Sequence, residues 1–383
     1  MNKIHTMNRR QFIQAVAVAS CALGAPYVRA DVRSGPKAVI DETRVISWEP
    51  EKYHGWPTVA RCADGEILLA YSGGRVGHTC PLGRLEMMRS RNGGRTWSWP
   101  QVIYDSPIDD RDGGIMETAR GSLLITTFTY PGKIEALPAT QRQAVLDCAT
   151  EAQRRSELGC YMLRSTDGGI TWSARQRVPL NSPHGPTQLR DGRILFPGIA
   201  RWTPEQKMGV CESRDDGMTW QWLADIPDRP GDRRFRGPTS FNYLELTALE
   251  CAEGKIICQL RNRNNPNDGE TLQTESVDGG RSWNPPHPIG VWGSPSHLLR
   301  LRDGRALMTY GHRRKPFGNQ ARVSTDDGAT WSEPVIISGD GAGGDLGYPS
   351  TVQLEDGTLV TVWYEQLAGN PRAQLRQARW RLV

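Results

Sequence analysis

The sequence predicts an all-β fold, a β-propeller of six blades, from two internal repeats and the way they interleave. The first repeat is an octamer, Ser-x-Asp-x-Gly-x-Thr-Trp, found at Ser165–Trp172, Ser213–Trp220, Ser276–Trp283 and Ser324–Trp331, with an amide variant at Ser90–Trp97. Its Asp or Asn can accept backbone N–H bonds across a tight turn, its Gly supplies a positive φ, and its Trp covers the hairpin. The second repeat is an apolar strand, a Gly turn and another apolar strand. Its turn glycines are Gly65, Gly121, Gly192, Gly254, Gly304 and Gly357, at intervals of 56, 71, 62, 50 and 53 residues. Each interval suits one small antiparallel sheet with its loops, so six hairpins give six blades.

Taken in order, the blades begin near His54 and end near the last residue, Val383. The sixth hairpin has no octamer after it. A propeller closes by pairing its chain ends within one blade, so the segment near Arg44–Ser47 is expected to supply the missing strand of blade six. Pro138–Leu158 breaks the rhythm and explains the 71-residue interval. It reads as a helix, either capping a pocket or lying on the surface.

Ahead of the blades, residues 1–30 carry Arg9-Arg10, a short apolar run from Ala15 to Leu23, and a small-residue end at Val28–Ala30. This is the pattern of a twin-arginine export signal, predicting a periplasmic or secreted protein. Val18–Cys21 also fits a lipoprotein box, which would anchor the chain at Cys21. The apolar run falls short of the roughly 20 residues a membrane helix needs, so no integral span is expected once the leader is gone. The leader holds Lys3, Arg9, Arg10 and Arg29 and no acid, so cleavage lowers the net charge from +5 to about +1. A nucleic-acid partner loses its main support. The remaining cysteines, Cys62, Cys80, Cys148, Cys160, Cys211, Cys251 and Cys258, have no metal-type spacing, so neither a metal nor another cofactor is expected. Disulfides are compatible with export and not required by it, and a monomer is the expected state.

Five such octamers within six hairpin repeats resemble the Asp-boxes of the sialidase (neuraminidase) superfamily, the BNR/Asp-box repeat proteins, over nearly all of the chain after the leader. The resemblance implies a sialidase-like propeller whose site forms where the inner strands start, near the central axis. Those starts hold His54, His184, His297, Glu245 and Tyr348, with the charged run Asp109–Asp112 in blade two. In that family a Glu stands about nine residues before its hairpin Gly and an Arg about seven after; Glu245, Gly254 and Arg261 are similar. The nucleophilic Tyr has a like offset, matched by Tyr348 and Gly357, and Tyr364-Glu365 is similar to the family's late Tyr-Glu pair.

The chemistry suits these residue types. A phenol with a pKa of about 10 needs a neighbouring carboxylate to become a nucleophile. Arg offers a planar fork to a substrate carboxylate. The resemblance therefore implies Tyr348 as nucleophile and Glu245 as its base. Arg261 with Arg313 or Arg314 would hold a carboxylate, and His54, His184, His297 and Asp112 would line the site. The family pattern is broken in two places. Its first-blade Arg falls at Gly55, and its acid Asp is missing from residues 72–84, where Arg75 and His78 stand; His78 is the candidate acid.

An exported glycoside hydrolase of exo-α-sialidase type, acting on acidic glycans, is the first reading. The second is a propeller lyase cleaving uronate-containing glycans, favoured by the histidines. The third is a non-catalytic glycan-binding propeller using Trp56, Trp202 and Trp292 as stacking faces.

Overall fold

A computed structural model describes residues 35–203, 207–232, 242–264 and 268–383. The expected leader, including Cys21, lies outside them. Within Pro36–Val383 six four-stranded antiparallel sheets form a ring, the six-bladed propeller. The innermost strands are Tyr53–Arg61, Asp109–Glu117, Thr187–Gln188, Tyr243–Glu250, Ser296–Arg300 and Leu346–Gln353. Ala38–Val45 pairs with Asn370–Leu382 as the outermost strand of blade six, so the ring closes with the N-terminal strand in the last blade.

That closure explains the missing sixth octamer. Each octamer is the corner between the third and fourth strands of a blade, and in blade six those strands lie at opposite ends of the sequence. The corner is the same object each time. In blade two Ser165 Oγ accepts from Gly169 N at 2.8 Å, and Asp167 accepts from Thr171 N and Oγ1 at 3.0 and 2.5 Å. Blades three, four and five repeat these bonds, and Asn92 accepts from Thr96 N in blade one.

The apolar core is divided among the blade interfaces, because each sheet must bury both faces. Trp97 of blade one packs into a cluster with Val352, Val360 and Val362 of blade six. Trp172 of blade two joins Leu68, Leu85 and Met87 of blade one, and Trp283 of blade four joins Leu195 and Val210 of blade three. Between blades five and six, where no octamer contributes, Trp363 and Trp380 fill the space. The octamer Trp is therefore a rivet between neighbouring blades as much as a lid on its own hairpin.

Pro138–Leu158 is two helices where one was expected: α1 (Ala139–Cys148) and α2 (Glu151–Ser156). Ala149 is extended between them, and Thr150 starts α2 with a reciprocal capping box to Gln153. The insertion does not lie idle on the surface. Leu137 and Val145 close over Cys80, with Val76 and Leu82 against them, and so brace residues 76–82 of blade one. Cys62, Cys80, Cys148, Cys160, Cys211, Cys251 and Cys258 are free thiols. Among the described residues no helix is long and apolar enough to cross a membrane.

Candidate active site

Four inner strands share one backbone device. Trp56, Asp112, Glu245 and Tyr348 have φ of +54°, +59°, +59° and +51°, and each stands at a break in strand register. None is glycine, so each is held in a conformation that L-residues rarely adopt. A bulge of this kind turns a side chain out of the pleat and re-aims it. Each residue lies nine positions before its hairpin glycine (Gly65, Gly121, Gly254, Gly357), and all four line one axial cavity of about 330 Å³.

Tyr348 donates its hydroxyl hydrogen to Glu245 Oε1. Arg261, paired with Leu244 across the strands, donates from Nη1 to both Glu245 oxygens at 3.2 and 3.3 Å. Burial alone would raise the Glu245 pKa, but Arg261 and Arg313 outweigh it and hold the carboxyl below its ordinary value. Tyr348 goes the other way, pushed well up by burial and then by Glu245 and Asp112. The resting pair is thus a neutral phenol donating its hydrogen to a carboxylate.

Around this pair the wall is aromatic and cationic. Trp56 lies 6.4 Å from the Tyr348 ring and 5.8 Å from Tyr364. Arg111 stacks its guanidinium on Trp56 at 4.1 Å while donating to Asp109 and to the His78 carbonyl. Arg313 also borders the cavity; its buried Nε and Nη2 find no hydrogen-bond partner among the described residues. Asp112 is raised to about 7, first by burial, with Arg111 and Arg201 opposing. Near neutrality it therefore exists partly as a carboxylic acid able to donate as well as accept. His78 stands at the mouth with its side chain half exposed.

The structure thus gathers Tyr348, Glu245, Arg261, Arg313, Asp112 and His78 into one cavity. Five other expected residues lie outside its walls. Arg75 is fully buried and spent on Asp109, at 2.5 and 2.9 Å. Arg314 stacks on Trp292, 3.4 Å from the ring centre. His184 and His297 pack against each other behind Tyr348, and burial pushes the His184 pKa down to about 3. His54 is buried against Tyr71 and bonds Ser47; burial lowers it to about 4. Standing at a strand start does not make a side chain face the axis. The left-handed residue does, and His54 is two residues short of Trp56 while His184 precedes Gly185, a positive-φ glycine just ahead of the blade-three inner strand.

His54 also belongs to the one group, among the described residues, whose ligand atoms are close enough for a metal ion: Glu49, His54 and Glu86, within 4.8 Å. Arg84 already neutralises Glu86 by an ion pair at 2.6 Å, and the trio lies apart from the cavity wall.

The sequence marks Arg111 only as part of the charged run Asp109–Asp112, with no role, and does not mark Arg201 or Tyr53. It treated Trp56 as one stacking face among three, although the nine-residue offset singles it out. Trp202 packs with the core cluster between blades two and three, and Trp292 carries Arg314.

A ring of six such sheets is the architecture of the sialidase/BNR-repeat class, and at its axis here a phenol, a carboxylate and several guanidinium groups meet. Residues 139–361 match the BNR repeat-like domain, and the chain belongs to that family. Among curated relatives it is 24% identical over 364 residues to a sialidase of Micromonospora viridifaciens, covering 85% of this chain and 51% of that one. A sialidase of Clostridium perfringens is 23% identical over 199 residues, covering 46% of this chain and 50% of that one. The chain spans about half the length of both. Among solved structures, a protein of unknown function from Dyadobacter fermentans superposes with a TM-score of 0.75 at 23% identity, covering 90% of this chain and 99% of that one. The intramolecular trans-sialidase of Ruminococcus gnavus gives 0.60 at 13% identity, covering 86% and 94%.

Proposed function

We propose that the protein is a sialidase-type glycosidase acting on an acidic sugar at the end of a glycan. The observation that carries this reading is the Tyr348–Glu245 hydrogen bond inside the axial cavity, with Arg261 holding the carboxylate. In the first half of the reaction Tyr348 Oη bonds to the anomeric carbon and its proton passes to Glu245. The glycosidic C–O bond breaks, and the leaving oxygen takes a proton from His78 at the mouth. In the second half water replaces the tyrosine oxygen and the protons return.

The substrate carboxylate is recognised by Arg313, whose buried Nε and Nη2 have no partner among the described residues, together with Arg261. Arg111, reaching across from blade two over Trp56, supplies the cation that Gly55 does not. Trp56 and Tyr364 give the sugar an apolar face, and Asp112 meets a hydroxyl. A uronate lyase would use several histidines, and His54, His184 and His297 stand outside the cavity; hydrolysis is the better supported reading. Export through the leader at residues 1–30 completes the proposal.

The purified protein is tested on sialosides, uronate-containing glycans and neutral glycosides, with products identified by mass. Release of a free acidic sugar by the wild type, reduced by about three orders of magnitude or more in Tyr348→Phe, is the expected result. Full turnover by Tyr348→Phe would remove the nucleophile, and an unsaturated product would turn the reading to a lyase.

A further inference from the structure

We propose that Asp345, brought to the mouth from the loop that enters blade six, is the positioning residue for His78: with Tyr53 it fixes the ring so that Nε2 carries the proton exchanged with the leaving group. This rests on the hydrolase reading above and names the device by which a histidine replaces the absent acid.

Four residues meet at this point. Tyr53 Oη lies 2.9 Å from Asp345 Oδ2 and 2.8 Å from His78 Nδ1; Asp345 Oδ1 lies 3.2 Å from the same Nδ1 and 3.1 Å from Tyr364 Oη. Burial would raise the Asp345 pKa, but the bonds and charge of His78, then Tyr53 and Tyr364, hold it below its ordinary value. An ionised carboxylate only accepts, so both phenols donate to it, and burial and their acidic neighbours push both phenols up. With its own hydrogen committed to Asp345, Tyr53 Oη can only accept from His78. Nδ1 therefore carries a hydrogen in the neutral ring as well as in the charged one, and the proton that comes and goes sits on Nε2.

The surroundings fit that role. Arg75 and Arg111 donate to the His78 carbonyl at 2.7 and 3.1 Å, holding the backbone. Trp56 stands edge-on at 5.1 Å. Among the described residues, Asp345 is the carboxylate in contact with the ring. The segment carrying His78 is braced from behind by Leu137 and Val145 on Cys80, and Cys80 N donates to Asp109 at 3.0 Å. When the glycosidic bond breaks, its electron pair stays on the leaving oxygen, which takes the Nε2 proton. The neutral ring then takes a proton from the water that releases the sugar, restoring the start.

The test compares the wild type with Asp345→Asn on two substrates of one acidic sugar. One is joined to a second sugar, a poor leaving group, and the other to a phenol that departs unprotonated. Loss of positioned acid catalysis is expected to lower kcat on the sugar-linked substrate by about a hundredfold, with little change in KM and a far smaller loss on the aryl glycoside. Nitrogen-15 histidine spectra of the wild type show the Nδ1–H form of neutral His78. Equal losses on both substrates would reduce Asp345 to a structural residue. If the variant does not fold, the wild-type spectrum decides: the Nε2–H form overturns the proposal. Should the wild type release neither product, the hydrolase reading fails while the spectrum still judges Asp345.

Discussion

The octamer corners and the inner-strand starts are both repeats, yet they have diverged in opposite ways. At the corners the side chains are nearly constant and make the same bonds in five blades. At the axis the backbone is constant in four blades and the side chains are all different. The same left-handed bulge presents Trp56, Asp112, Glu245 and Tyr348. A repeated side chain serves a repeated structural need, here joining blade to blade. A repeated backbone with varied side chains gathers unlike groups at one point, and chemistry requires unlike groups.

This contrast makes separable predictions. At the axis Arg111→Ala is expected to raise KM for an acidic sugar by about ten- to a hundredfold, the scale of one charge-assisted contact, with kcat changed less. Its melting temperature should barely move, because Asp109 keeps Arg75. Steady-state kinetics beside a thermal melt checks both halves, and a large loss of stability would place Arg111 with the scaffold.

At the corners the reverse holds, and the effect is smaller. Burial works against the ionised Asp326, yet the bonds from Thr330 and Ser324 hold its carboxyl below the ordinary value. A depressed carboxylate stabilises the fold above its unfolded pKa, and that stability is lost as pH falls through the folded value, so the window lies below about pH 4. Asp326→Asn copies the amide that blade one carries at Asn92. It should cost about 0.5 kcal/mol at neutral pH, the site being exposed, and leave activity intact. The stability difference from wild type should shrink on acidification; melts at pH 7 and pH 3 read it directly, and a constant difference would mean that the charge is idle.

Much of this was legible in the chain. Five octamers and six hairpin glycines specify the ring, and the absent sixth octamer correctly points to closure by the N-terminal strand. The Tyr348 and Glu245 positions follow from their offset to Gly357 and Gly254. That offset also marks Trp56 and Asp112, a signal open to anyone who counts. Thr150 and Gln153 spell the capping box that splits the inserted helix. The histidines misled because a strand start fixes where the backbone lies and not where a side chain points. Arg111 over Trp56 and Asp345 beside His78 were beyond reach, since each joins different blades and the second pair is 267 residues apart.

The central claim is that the axial phenol becomes bonded to the sugar. An acidic sugar bearing fluorine beside the anomeric carbon and fluoride as leaving group slows the second half of such a reaction more than the first. After incubation with this probe, mass spectrometry of the digested protein should show one adduct per chain, on Tyr348. Hydrolysis of a natural substrate with no adduct, or an adduct on another side chain, would contradict the account.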